Sequence, residues 1–449
     1  MIVILILLLF AALYFVVKVS KNPFIGLLVM IGVNPFESLI NVGFNISLGR
    51  IIGTVSVIGW FVYLYNNPQA MISLSKSVLI RVIWAFPIIC LLGIILNENQ
   101  TISGYQALFK LFILLIMSVM VENLVNSKNK MYQLVFVVAI SAVFASVFPI
   151  ASFFEIDLYT PFGLSVEDTM MTGRTSGLTN NANALGLATC MGLFALLVNI
   201  LVTKNSFIKI LLLLLGVFMI GGLILSGSRT HLVAYFVCIL SFGILRFFGP
   251  TKGLSSSLLL LPVMILIFMI SYQAAPEVLK NRFILFGKDV GSDTVNRQKF
   301  ADLERSKALE IVQGYPLGVG LTGFEKYFGA AAHDTISALL GETGLLGSIA
   351  FSWIALSSWQ WLYRANKIAK RRSMEMYYYS SGFISSYIAM FVAGWGGYVI
   401  YNQRWFWIIV GISPTIYKWS KSFNQNQASI IRVSNHQMLK YSKDISNRY

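Results

Sequence analysis

The sequence is poor in charge, which decides its class at once. Only 12% of its 449 residues are charged, 57% are apolar, and the mean hydropathy is +0.73. Soluble globular chains carry roughly 25% charged residues. Several apolar stretches approach the roughly 20 residues that cross a bilayer as a helix. The shortage of charge therefore excludes a soluble domain and predicts an all-α polytopic membrane protein.

The sequence is also poor in groups that bind metals or nucleotides. Its three cysteines, Cys90, Cys190 and Cys238, lie in apolar runs at spacings that match no metal or redox motif. It lacks a His/Cys/carboxylate cluster at metal-ligand spacing, a glycine-rich nucleotide loop and a G-x-S-x-G elbow. We therefore predict structural cysteines, no metal and no cofactor. A cytoplasmic nucleotide-sugar domain is excluded, because no polar stretch is long enough to form one.

Basic residues outnumber acidic ones by 34 to 18, for a formal net charge of +16. The excess lies in short loops, notably 364–372, and in the tail from Lys418 onwards. No nucleic-acid motif or basic groove with interleaved aromatic residues accompanies it, so we predict no nucleic-acid partner. The positive-inside rule explains the excess instead. Because Met1–Val17 lacks a cationic segment and a cleavage site, we predict a first span there and not a removed signal peptide.

Thirteen apolar segments are candidate membrane spans, within a range of 12 to 14. The segments are 2–17, 23–40, 50–66, 78–97, 105–124, 132–153, 184–203, 207–226, 230–248, 254–272, 335–363, 376–396 and 398–417. The second is the weakest, because Asn34-Pro35 and Glu37 interrupt it. A broken or re-entrant helix is the alternative there. We treat residues 1–449 as a single transmembrane domain.

The lysines and arginines of the short loops fall on one side if all thirteen segments cross the membrane. The positive-inside rule makes that side cytoplasmic, and the tail 418–449 shares it. Two long loops, 154–183 and 273–334, then face outward. The second contains a helix-like stretch from Asp293 to Gln313 with a predicted amphipathic face. That face comprises Phe300, Leu303, Ala308 and Ile311.

His333 lies where the polar loop 273–334 meets an apolar helix. Asp334 is a candidate N-cap, which places His333 beside a helix N-terminus whose partial positive charge favours the neutral ring. A neutral imidazole accepts protons near pH 7, so His333 is the candidate catalytic base. Glu342 lies nine residues further on, which at about 100° per residue is nearly the opposite helix face. We expect Glu342 to pair with another polar group in the bundle.

Arginines recur on the predicted outer side, where the positive-inside rule does not expect them. Arg174 precedes Asn180, Asn181 and Asn183, Arg229 follows Ser226-Gly-Ser228, and Arg297 and Arg305 lie in the second long loop. The guanidinium fork fits pairs of phosphate oxygens, so the pattern predicts an anionic lipid head group as the ligand. His231 is more simply explained as a structural histidine. Arg404 either stacks in an aromatic belt or joins the anionic site.

Three segments in this order resemble the O-antigen ligase/polymerase superfamily of bacterial envelope enzymes. Arg174-x-x-Gly177 with Asn183 is similar to its Arg-Ser-Gly…Asn-Pro-Asn element, and Ser226–Thr230 to its Ser-Arg-Ser turn. The third segment, from Pro316 to Gly347, resembles the signature Pro-Leu-x-Gly-Val-Gly…His-Asn…Glu-x-Gly-x-x-Gly. The resemblance covers residues 170–350. Asp334 stands where the family has Asn, and Ala182 where it has Pro.

The resemblance implies a GT-C-like membrane glycosyltransferase that uses neither a metal nor a nucleotide sugar. Its donor would be a glycan linked to undecaprenyl diphosphate, at the outer face of the bacterial cytoplasmic membrane. By position, His333 would be the base, and Arg174 and Arg229 would bind the diphosphate. Asn183 and Glu342 would add substrate contacts. Either Arg297 or Arg305 would be the family's loop arginine, and the spacing leaves that choice open.

A polysaccharide polymerase of the Wzy type is the preferred hypothesis. It would transfer a growing capsule or exopolysaccharide chain onto a lipid-linked repeat unit, with membrane lipids, a flippase and a chain-length regulator as candidate partners. A ligase that moves the finished glycan to another acceptor is the alternative, and no residue decides between the two. A transporter or flippase is a third hypothesis. The one-sided placement of the polar groups disfavours it, because transporters place ionisable groups near the bilayer midplane.

Overall fold

The computed structural model describes residues 2–36, 48–97, 102–158, 175–179, 181–250, 254–275, 279–280, 290–395 and 399–422. These residues form helices and turns, and none of them lies in a β-strand. The first helices are α1 Ile2–Lys21, α2 Pro23–Gly32, α3 Leu48–Asn66, α4 Pro68–Ser75, α5 Val78–Ile83, α6 Ala85–Leu96, α7 Ile102–Leu124 and α8 Lys128–Phe153. The remaining helices are α9 Ala182–Val202, α10 Ser206–Leu225, α11 Arg229–Phe247, α12 Leu254–Ala274, α13 Val290–Gly314, α14 Phe324–Phe328, α15 Thr335–Ala369, α16 Met374–Trp395 and α17 over 404–422.

Eight helical segments of the described chain are long and apolar enough to cross a membrane. They are α3, the pair α5–α6, α7, α8, α9, α10, α11 and α15. The chain is therefore a multi-pass helical membrane protein, as its composition predicts. The predicted spans 2–17, 254–272, 376–396 and 398–417 also coincide with helices, namely α1, α12, α16 and α17. That these four cross the membrane stays a prediction.

The predicted span 23–40 is not one crossing helix, and its described part is a broken helix, as the alternative for this segment predicts. α2 has only ten residues and is followed by a 3-10 turn at Asn34–Phe36. Ten residues rise about 15 Å, half of the roughly 30 Å apolar core of a bilayer. Side chains satisfy the carbonyls at its end: Arg404 Nη1 donates to Met30 O at 2.8 Å, and Ser141 Oγ donates to Ile31 O at 3.4 Å. Arg404 is buried and stabilises the end of this short helix.

One end of the bundle carries Lys128, Lys418 and Arg246 and is called the basic end below. Lys128 Nζ lies 2.7 Å from Glu375 Oε2, and Lys418 Nζ lies 2.6 Å from Glu122 Oε1. Arg246 Nη1 approaches the Met374 sulfur at 3.9 Å. These contacts join the termini of α7, α8, α11, α16 and α17 at one end, in agreement with the predicted alternation of the loops. That this end faces the cytoplasm stays a prediction.

The centre of the bundle is α9, whose side chains from Leu185 to Ile200 are all buried. It packs against α8, α10 and α16. Small residues permit this close approach: a Cβ on Gly192 would lie 2.0 Å from the Cβ of Ala142. The three cysteines are buried free thiols.

The described part of the second long loop is largely helical, and α13 packs along α15. The helix predicted from Asp293 to Gln313 is confirmed, but its predicted apolar face is partly wrong. Ala308 and Ile311 are buried as expected, whereas Leu303 is 59% exposed and Glu304 takes its place in the interface. Glu304, Ala308 and Ile311 are spaced i, i+4, i+7 and share one helix face. A carboxylate belongs to this face because it accepts a backbone hydrogen bond from α15's N-terminal segment, described below.

α15 is broken at Gly344, where φ is +65° and ψ is −168°. Residues 315–323, called the break loop below, lie against the interruption. Val319 N donates to Gly341 O at 2.9 Å, Gly320 N to Glu342 O at 3.0 Å, and Leu345 N to Pro316 O at 3.0 Å. The break loop thus satisfies the carbonyls that the helix leaves open, as the interior of a membrane protein requires. A Cβ on Gly344 would lie 2.2 Å from Pro316 O, so this position accepts only glycine.

Candidate functional site

His333 is exposed at the N-terminal end of α15. α15 runs from there to the turn at 370–372, and α16 begins with Met374 and Glu375 at the basic end. His333 therefore lies at the opposite end of the bundle. The turn between α10 and α11, which carries Arg229, lies at that opposite end too, because α11 finishes beside Met374.

The ring of His333 is held in one tautomer. Its Nδ1 lies 2.8 Å from the carbonyl oxygen of Ala331. A carbonyl oxygen only accepts, so Nδ1 carries the hydrogen and Nε2 carries the lone pair of the neutral ring. The Phe300 ring meets the imidazole edge-on, with centroids 5.5 Å apart and planes at 76°. The proton-accepting atom of this exposed histidine is therefore Nε2.

Asp334 caps α15, as the sequence predicts. Its Oδ1 accepts from Ser337 N at 2.8 Å, and its Oδ2 accepts from the Ser337 hydroxyl at 3.1 Å. Arg305 from α13 brings its Nε within 3.5 Å of Oδ2, and its guanidinium lies 5.7 Å from the centre of the Trp395 ring. Asp334 is buried, whereas Arg305 is half-buried. The cap thus anchors a guanidinium beside the histidine that precedes it in the chain.

Glu304 is a site residue that sequence reasoning missed. Its Oε1 accepts the backbone N–H of His333 at 2.6 Å, and its side chain is buried. Burial raises the pKa of Glu304 above its ordinary value, against the opposing effect of this hydrogen bond. A signal for it exists in the sequence, because Glu304 shares the i, i+4, i+7 face with Ala308 and Ile311. A carboxylate on an otherwise apolar face indicates a buried partner.

A second polar cluster forms where α9 begins and α10 turns into α11. The Ser228 hydroxyl donates to Asn183 Oδ1 at 3.0 Å and lies 2.7 Å from His231 Nδ1. Since the hydroxyl donates to Asn183, it accepts from His231, and Nδ1 of this ring carries the hydrogen. His231 is buried, which agrees with a structural role. Arg229 is the first residue of α11 and is half-buried beside this cluster.

Two of the predicted arginines cannot be compared with the others. Arg174 lies outside the described residues. Arg297 lies in α13, but its side chain is outside the described part of the structure. Of the two candidates for the loop arginine, Arg305 lies one residue from Glu304 and contacts Asp334. Its position beside His333 favours Arg305, and the role of either arginine stays a prediction.

Glu342 lies inside the bundle and not beside His333. The hydroxyl of Tyr401 donates to its Oε2 at 2.5 Å, and the backbone N–H of Thr322 donates to the same carboxylate. The expected pairing with another polar group is confirmed. Its partner Tyr401 is 59 positions away and was not singled out from the sequence. Contact between Glu342 and a substrate stays a prediction, and this buried position gives it no support.

No family model matches this chain, and no curated protein matches it. The resemblance noted in the sequence therefore depends on its short motifs and on where the fold brings them.

The groups at this end of the bundle are suited to proton transfer from a hydroxyl group and to the stabilisation of negative charge. A neutral Nε2 is exposed where apolar helices end, and it can accept a proton from a hydroxyl group. The Arg305 guanidinium contacts the carboxylate of Asp334, the next residue in the chain, and Arg229 begins α11 at the same end of the bundle. Arginines so placed attract anionic groups and stabilise negative charge that develops on a leaving group.

Proposed function

We propose that the protein is a membrane glycosyltransferase of the GT-C type whose donor is a glycan linked to a lipid diphosphate. The preferred activity is polymerisation, in which the glycan passes to a lipid-linked repeat unit at the outer face of the bacterial cytoplasmic membrane. The observation that carries the proposal is His333, an exposed imidazole whose Nδ1–H is engaged by Ala331 O and whose Nε2 is left as the base.

In the proposed reaction, Nε2 of His333 removes the proton from a hydroxyl group of the acceptor sugar. The hydroxyl oxygen attacks the anomeric carbon of the donor and forms the new glycosidic bond. The bond from that carbon to the diphosphate oxygen breaks, and the lipid diphosphate leaves with the electron pair. Arg305 and Arg229 are the described candidates to stabilise this negative charge, and the proton remains on His333 until water removes it.

The one-sided placement of these groups supports an enzyme over a transporter. His333, Arg305 and Arg229 all lie at the end opposite the basic end, whereas a transporter places its ionisable groups near the midplane. Glu342 is the exception, because it is buried inside the bundle beside the break in α15, where it binds the Tyr401 hydroxyl. A ligase would use the same chemistry with a different acceptor. Only the acceptor separates a ligase from a polymerase, so the decision belongs to an assay.

The test supplies the purified protein in lipid nanodiscs with lipid-linked repeat units alone. A ladder of longer lipid-linked glycans is the expected result. A reaction that starts only after a second, unrelated acceptor is added would assign a ligase. Movement of the lipid across the bilayer without any glycan transfer would overturn the proposal.

A further inference from the structure

The break loop contains a backbone strain that no residue of the proposed site explains. Thr322 has φ of +62°, and the only other non-glycine residue with positive φ in the described chain is Glu155. A β-branched residue in this region is a true outlier, and such residues persist only where their surroundings hold them. The surroundings of Thr322 therefore identify what holds the break loop.

Glu342 is the group that holds it. Its carboxylate accepts the Thr322 N–H on one side and the Tyr401 hydroxyl on the other. Tyr401 is itself fixed, because it is fully buried and its carbonyl accepts from Trp407 Nε1 at 2.8 Å. One carboxylate thus joins the break loop, the first part of α15 and the turn before α17.

The break loop continues directly into the wall behind His333. Phe324, two residues after Thr322, is fully buried, and a Cβ on Gly341 would lie 2.3 Å from its ring. Phe328 at the other end of α14 meets the Phe300 ring at 5.2 Å, and Phe300 meets the His333 ring at 5.5 Å. A shift of the break loop would therefore move the aromatic group that orients the imidazole.

We propose that Glu342 is a positioning residue, which clamps the break loop between Thr322 and Tyr401 and thereby fixes the orientation of the His333 ring. The inference rests on the proposed function for its kinetic consequence, although the clamp itself is a structural claim. Glu342 takes no proton from the substrate in this scheme. Its loss misplaces the base, and misplacement of a reacting group by about 1 Å costs up to about a hundredfold in rate.

The test is Glu342→Gln, which keeps the size of the side chain. Its amide NH₂ cannot accept a hydrogen bond, so one of the two donors, the Thr322 N–H or the Tyr401 hydroxyl, loses its acceptor. We expect kcat per folded molecule to fall between about tenfold and about a hundredfold, with KM within about twofold of its original value. Glu325→Gln, an exposed change in α14, is the matched control and should leave kcat unchanged.

A second change addresses the strain itself. Glycine adopts positive φ without penalty, so Thr322→Gly in the Glu342→Gln protein should restore most of the lost kcat. If Glu342→Gln does not fold, Tyr401→Phe replaces it, since this change removes one hydroxyl and keeps the buried ring. It should lower kcat in the same way but less, because the bond from Thr322 remains.

Hydrogen–deuterium exchange of residues 315–333 makes the inference independent of the assay. We expect the amides of this segment to exchange at least about tenfold faster in Glu342→Gln than in the unchanged protein. Unchanged exchange together with unchanged kcat would overturn the clamp. The two claims can fail separately. If Glu342→Gln exchanges faster but the unchanged protein transfers no glycan, only the proposed function is overturned.

Discussion

Two histidines of the described chain lie at the end opposite the basic end, and they differ in burial and in the partner of Nδ1. His231 is buried, and its Nδ1 binds the Ser228 hydroxyl. His333 is exposed, and its Nδ1 binds the carbonyl of Ala331. In both rings Nδ1 carries the hydrogen, so Nε2 is the basic atom of each. Only the Nε2 of His333 belongs to a ring that a soluble or lipid-borne hydroxyl can reach.

The difference teaches that position along a helix decides the role more than the residue type does. His231 lies three residues after the N-cap Ser228 and turns into the bundle with α11. His333 precedes the N-cap Asp334, so it lies just outside α15 and beside charged groups of α13. The His231 ring therefore stabilises the start of α11, whereas the His333 ring is exposed just before the start of α15.

Replacement of each histidine by alanine should separate them most strongly. His333→Ala should lower kcat at least about a hundredfold with unchanged expression, because the general base is lost. His231→Ala should mainly lower the melting temperature of the protein in detergent, with a much smaller loss of kcat per folded molecule. Glycan transfer by the two purified variants measures this contrast. Equal losses of kcat would break the comparison.

Ser228→Ala should have the next largest effect, on stability. The change removes the hydroxyl that joins the half-buried Asn183 to the buried His231, for a cost of about 2 kcal/mol. Thermal unfolding in detergent would measure the loss. Ser75→Ala is the control, because the Ser75 hydroxyl makes only an exposed local bond to Ile72 O. A Ser228→Ala protein as stable as the control would show that this cluster organises nothing.

Asp334→Ala should cost about 1 kcal/mol of stability, the usual effect of losing an N-cap. It should also release Arg305, which contacts the Asp334 carboxylate. Asp334→Asn keeps a capping oxygen and is therefore expected to unfold close to the original temperature. The same thermal measurement on both variants checks this order. Equal destabilisation by Ala and Asn would mean that the charge of Asp334, and not its cap, stabilises the site.

The smallest effect concerns Glu304 and pH. Burial raises the pKa of Glu304, so the folded protein keeps this proton to a higher pH than the unfolded chain does. Stability is therefore greatest below the ordinary pKa of a glutamate and falls as the pH rises through the raised pKa. Glu304→Gln cannot ionise and should lose this dependence. The melting temperatures of the unchanged protein and of Glu304→Gln are measured between about pH 4 and about pH 7. Their difference at each pH isolates Glu304, because the titration of other groups affects both proteins equally.

Hydropathy predicts the helices that are long and whose ends do not depend on contacts with residues distant in the sequence. Segments such as those of α8 and α9 are therefore correct, whereas the segment 23–40 is not. Asn34-Pro35 and Glu37 mark the segment as the weakest, and α2 ends at Gly32, where the carbonyl of Met30 binds Arg404, 374 positions away. A contact so distant in sequence leaves no trace in the local pattern. The break at Gly344 is hidden for the same reason, because its partners lie in the break loop.

The site could be predicted as far as local rules reach. The N-cap of α15 at Asp334 and the pairing of Glu342 with another polar group follow from helix geometry, and both are observed. The role of His333 as a base stays a prediction. Glu304 and Tyr401 could not be predicted with the same rules, since each meets its partner through the packing of separate elements. The burial of Glu304 in place of Leu303 on α13 also depends on packing against a separate element. The interface accepts Glu304 because the His333 N–H is there to bind it.

The most direct test of the central claim is chemical rescue of the base. In His333→Ala, the exposed position of the missing ring leaves room for free imidazole, which can accept the proton in its place. Glycan transfer from the lipid-linked donor should be nearly absent and should rise with imidazole concentration, whereas His231→Ala should not respond. Undiminished transfer by His333→Ala without imidazole would contradict the account.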